Sequence, residues 1–124
     1  MEIAQQKQLL ERSFTEYENL QNLHLEVMKN EPRPDIARMT EDRDVSFNRL
    51  KQNINEFVGV AGSNGGKESL PVLAEFETRL KSIMDVSEEL SKAILEYQKG
   101  LKKDIAKIKQ SKAAMKGYKP ANVN

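Results

Sequence analysis

The chain has 124 residues, 31% of them charged and 6% aromatic, with no tryptophan and no cysteine. That size allows about one domain, and the missing cysteine excludes disulfides, thiol nucleophiles and thiolate metal sites. The formal net charge of +1 hides a division: residues 1–98 carry 12 basic and 18 acidic side chains, whereas residues 99–124 carry 8 basic ones and a single acid, Asp104.

The opening stretch "MEIAQQKQLLERSF" has no basic region followed by an apolar one, so no signal peptide is expected. No apolar run approaches the ~20 residues of a membrane span. The expectation is a soluble, cytoplasmic protein without membrane insertion. Prolines stand only at 32, 34, 71 and 120, and glycines cluster at 59–66 apart from Gly100 and Gly117. Both residue types disfavour helix interiors, so this punctuation divides the chain into segments of about 2–30, 34–61 and 70–116.

In the first segment Ile3, Leu10, Tyr17 and His24 recur every seven residues, with Leu20 and Val27 on a neighbouring seam. The break "NEPRPD" follows, with Pro34 near a helix start and Asp35 placed to complement its dipole. In the second segment the periodic residues are Ile36, Met39, Phe47, Leu50, Ile54 and Phe57. The connection "GVAGSNGGKESLP" ends in Ser69, a suitable N-cap, with Pro71 tolerated in the first turn.

The third segment is the most regular. Leu73, Phe76, Leu80, Ile83, Ser87, Leu90, Ile94, Tyr97 and Leu101 keep 3–4 spacing, and after one extra step the seam continues as Ile105, Ile108, Lys112 and Met115. Gly117 suits a left-handed helix stop and Pro120 prevents continuation. That stop would turn the Tyr118 ring back towards Ala113 and Ala114, leaving a flexible tail over 118–124.

These patterns predict an all-α fold, an elongated antiparallel three-helix bundle with a long C-terminal helix. At 1.5 Å per residue, helices one and two span roughly 40 Å each and helix three about 70 Å, so about 25 Å of its basic end would lie beyond their cover. Gly100 stands at that junction. A break there would make residues 101–116 a fourth short helix that folds back; the alternative is a continuous rod, since glycine costs a helix only about 1 kcal/mol.

No motif for catalysis or cofactor binding emerges. "GSNGGKES" fails as a phosphate loop because Ala61 replaces the first glycine, Glu68 follows Lys67, and no strand precedes it. His24 is the only histidine and reads as a packed residue; Glu41, Asp42 and Asp44 lie on several sides of a helix, as a solvated surface does. Neither catalytic residues nor a metal site nor a cofactor is expected.

The lysine-rich end needs its own account. Dipole complementation covers Lys112 and Lys116 but not Lys99, Lys102, Lys103, Lys107 and Lys109, which lie above the last turn. Nucleic acid is disfavoured because the segment has no arginine and one aromatic. A membrane surface calls for Trp, Phe or Leu on the apolar face, and only Leu101, Ile105, Ile108 and Met115 qualify there, so it is disfavoured too. An apolar stripe among lysines suits a helix-in-groove protein contact with an electrostatic rim. The candidate partner-binding residues are Ile94, Tyr97, Leu101, Ile105, Ile108 and Met115, with Lys102, Lys109 and Lys112 as rim and Tyr118 beside them.

Three features give the chain a family likeness: a first helix of about 25–30 residues followed by "MTEDRDVSFNRLKQNI", a glycine-rich break before the long last helix, and the basic, small-residue run "IKQSKAAMKGYKP". In these it resembles the helical export chaperones of the bacterial flagellar type III system, the FliT and FlgN group, with FliT-like proteins favoured. The resemblance implies a non-enzymatic chaperone that binds a filament-cap or hook-associated protein before export and contacts the flagellar export ATPase. In some bacteria such proteins also restrain a transcription regulator. The alternative is a structural coiled-coil homo-oligomer or adaptor subunit, and a homodimer remains compatible with both readings.

Overall fold

A computed structural model describes residues 2–62 and 69–122, with side chains as far as Met115. Residues 63–68, the middle of the phosphate-loop look-alike and of the glycine-rich connection, lie outside the described residues. The described chain is all-helical: α1 is Ile3–Asn30, α2 is Ile36–Val60 and α3 is Leu70–Asn122. The described residues contain no strand.

The ends of α1 and α2 follow local chemistry. Helix α1 closes where the Glu31 backbone N–H donates to the Val27 carbonyl, and Pro32 and Pro34 forbid another turn. Pro34 is buried. Asp35 then caps α2 directly, its carboxylate accepting from the Arg38 backbone N–H at 3.1 Å. Asp35 thus does more than complement the dipole: it satisfies one of the four N–H groups that lack a partner in the first turn.

Helix α3 differs from expectation at its end. It continues past Gly117 and Pro120 to Asn122, so the stop after Lys116 does not form and residues 118–122 are helical. Proline's fixed φ suits a helix, but Pro120 removes one bond to the Lys116 carbonyl and crowds that carbonyl with its ring, a cost confined to the final turn. The Tyr118 side chain lies outside the described ones, and with it the suggested turn towards Ala113 and Ala114. There is also no break at Gly100, so the fourth short helix is absent and the continuous alternative holds.

The chain divides into two compact units, residues 1–91 and 92–124. In the first, all three helices contribute to one core of Leu10, Phe14, Tyr17, Leu50, Phe57, Ala61, Phe76 and Ile83. The Phe14 and Phe76 rings stack with centroids 5.2 Å apart, and Phe57 meets Phe76 edge-on at 5.6 Å. Polar contacts set the register of α1 on α2. Ser13 pairs with Asn53, Glu16 with Arg49 and His24 with Arg43, so numbers fall along α2 as they rise along α1 and the two helices run antiparallel.

Along α3 the numbers rise instead. Glu18 accepts from Arg79, whose guanidinium lies 4.7 Å from the Phe14 ring centre, and the Gln21 side-chain amide donates to the Ile83 carbonyl at 2.9 Å and to the Ser87 hydroxyl at 3.0 Å. Gln21 is buried, and these two bonds compensate its amide for lost water.

The second unit is the continuation of α3 from Lys92. A methyl group placed on Gly100 would meet nothing within 4 Å. Gly100→Ala should therefore stabilise the helix locally by about 1 kcal/mol. Backbone amide exchange at residues 101–105 is expected to slow by about fivefold, which hydrogen–deuterium exchange measures directly. Unchanged or faster exchange would mean that the helix bends at Gly100 in solution.

Candidate interaction helix

Residues 92–115 place the predicted site on one helix, where positions three and four apart are neighbours on the surface. Ile94 and Tyr97 are half-buried. Leu101 is 42% exposed, Ile105 51%, Ile108 55% and Met115 69%, so exposure rises along the stripe. From Leu101 to Met115 the stripe covers about 21 Å at the helical rise. Lys102, Lys109 and Lys112 are exposed beside or within it. Of the sequence-predicted residues, only Tyr118 has no described side chain.

Leu95 joins this surface, at 51% exposure, although the seam spacing passes it by. It lies with Gln98, Leu101, Lys102 and Ile105 around a shallow depression on the helix surface. The signal available in the sequence was the i, i+3, i+7 series Leu95, Gln98, Lys102, which runs beside the main seam and has one apolar member. Within residues 92–115, the one ion pair among the described residues joins Lys99 to Glu96 at 3.8 Å. The remaining lysines of this stretch face solvent without a carboxylate partner among the described residues, so their charges are available to an incoming group.

Four apolar side chains, each about half exposed, leave roughly 1 kcal/mol apiece to be gained by covering them. Covering them contributes to association, offsetting part of the lost translational and rotational freedom, and the lysines bias which surfaces are acceptable. The arrangement is suited to recognition. It brings together no nucleophile with a base, and no group of three His, Cys, Asp or Glu residues among the described ones could hold a metal ion.

His24, the one histidine, belongs to the packing of the first unit. It is 3% exposed, and its Nδ1 lies 2.7 Å from an Arg43 Nη. Because a guanidinium only donates, Nδ1 accepts and the ring proton sits on Nε2. Burial lowers the imidazole pKa below its ordinary 6.5, the Arg43 charge lowers it further, and Asp42 pulls weakly the other way. This accords with the expectation of a packed histidine.

No helix among the described residues is long and apolar enough to cross a membrane. No protein-family model matches the chain, and neither the curated proteins nor the solved structures include a significant match.

The lowered His24 pKa has a definite sign for stability. Between the folded and unfolded pKa values the unfolded chain binds a proton that the folded chain refuses, so stability rises with pH in that window. The contribution is complete above about pH 6.5 and is lost progressively below it. His24→Gln, which keeps an acceptor for Arg43, should show a smaller fall in denaturant midpoint between about pH 7 and about pH 5.5 than the native chain. Equal falls would show that His24 titrates normally.

Proposed function

We propose that the chain is a non-enzymatic export chaperone of the flagellar type III kind, an antiparallel three-helix bundle continued by a client-binding helix. Its client is a filament-cap or hook-associated protein, FliT-like specificity for the cap being favoured, and delivery goes through the export ATPase. The observation that carries this reading is the exposed apolar stripe Leu101–Ile105–Ile108–Met115 set among lysines. It is joined by the resemblance of the helix plan and of "IKQSKAAMKGYKP" to the FliT and FlgN group.

The physical logic is simple. Flagellar axial proteins of this kind polymerise through amphipathic terminal helices, which must stay unassembled until secretion. An apolar stripe that covers such a helix blocks polymerisation by occupancy alone, without ATP. The affinity comes from apolar area, while the lysines accelerate encounter and exclude basic competitors. Cytoplasmic residence is part of the proposal, since the client is met before export.

Ile105→Asp combined with Ile108→Asp tests the placement. Both side chains are more than half exposed, so the fold should survive, with far-UV dichroism and melting cooperativity unchanged. Affinity for the filament-cap protein, measured by calorimetry, should fall at least about a hundredfold, because two apolar contacts become buried charges. Retained capture would remove the client site from this helix. A mass that rises with concentration in the absence of client would favour the coiled-coil homo-oligomer instead.

A further inference from the structure

We propose that the occupant of the Leu101–Met115 face is an acidic amphipathic helix whose register is fixed by Lys112. This deepens the client-binding reading and rests on it. The argument starts from the seam. In heptad terms Leu101, Ile108 and Met115 take the d positions, Ile105 and Lys112 the a positions, and Lys102 and Lys109 the e positions. The opposite flank, the g positions, holds Asp104 and Ser111.

Each of these placements selects against a second copy of the same helix. Paired in parallel, Lys112 would face Lys112 in the centre of the contact, and only Asp104 against Lys109 would be recovered in compensation. Paired antiparallel, the e-position lysines would face one another along one edge. A partner with glutamates on the flank that faces Lys102 and Lys109 satisfies that lysine row, while its other flank meets Asp104 and Ser111. A carboxylate opposite Lys112 completes the seam, as a single charged a position does when it specifies register. The lysines concerned are exposed and carry no ion pair among the described residues, so no existing bridge has to break first.

The test uses the full chain and three labelled peptides of about three heptads, all with leucine on the apolar stripe. One carries glutamate on the flank that faces Lys102 and Lys109 and opposite Lys112, one carries glutamine there, and one carries lysine. By fluorescence anisotropy the glutamate peptide should bind at least about tenfold tighter than the glutamine peptide at ~0.05 M salt, an advantage that shrinks at ~0.5 M. The lysine peptide should bind weakest. The triple variant Lys102→Glu, Lys109→Glu, Lys112→Glu, confirmed helical by dichroism, should reverse that order.

Equal binding of the glutamate and glutamine peptides would overturn the proposal. So would self-association tighter than peptide binding, or stronger capture by anionic phosphatidylserine vesicles than by the glutamate peptide. The two levels separate cleanly. A glutamate preference without binding to the filament-cap protein would sustain the charge rule and refute the flagellar client. Cap binding that ignores the triple charge reversal would keep the client and overturn the charge rule.

Discussion

Phe76 stacks on Phe14 of the first helix and receives the edge of Phe57 from the second, so one ring from α3 touches both other helices. Geometry of this kind constrains more than area does, because a stacked ring accepts little sliding along the helix axis. The register it fixes is repeated further along both helices by polar pairs. Arg79 lies over Phe14 while bonding Glu18, and Gln21 reaches the Ile83 carbonyl. With these contacts in place, Leu10, Leu50 and Ile83 are buried almost completely.

The same helix carries two kinds of seam. Over Phe76, Ile83 and Leu90 its apolar positions are buried, and the spacing of seven keeps them on one line. Over Leu101, Ile105, Ile108 and Met115 the side chains are exposed and the neighbouring charges are lysines. One helical grammar serves stability in the first stretch and leaves the second available for recognition. The switch is marked in the sequence by the extra residue between Leu101 and Ile105 and by Gly100 just before it. Acid-rich composition in residues 1–98 and base-rich composition after them sharpen the division.

Much of this was legible in the chain because helices announce themselves twice, by period and by punctuation. Proline pairs and glycine clusters place the ends of α1 and α2 within a residue or two, and Leu10, Leu50, Phe57, Phe76, Ile83 and Leu90 are buried as their spacing requires. The end of α3 was misjudged because a glycine–proline stop is a preference of a few kcal/mol, which a helix can absorb in its last turn. Phe14, a fully buried core residue off the seven-residue seam, and several polar residues were the other gaps. Gln6, Ser13 and Gln21 are buried, while Leu20 and Val27, which share the apolar periodicity, are only half-buried. Hydrophobicity cannot identify a glutamine whose amide finds a carbonyl 62 residues away. The stripe and its lysines were readable from spacing alone; Leu95 was not, since its i+3 and i+7 neighbours are polar.

The central proposal is that the filament-cap client is recognised on residues 101–115. Hydrogen–deuterium exchange of the full chain, alone and with the filament-cap protein, addresses it directly. The account predicts new protection concentrated over Leu101–Met115, with the amides of residues 1–91 largely unchanged. Protection confined to residues 1–91, or none anywhere when the two proteins are mixed, would contradict it.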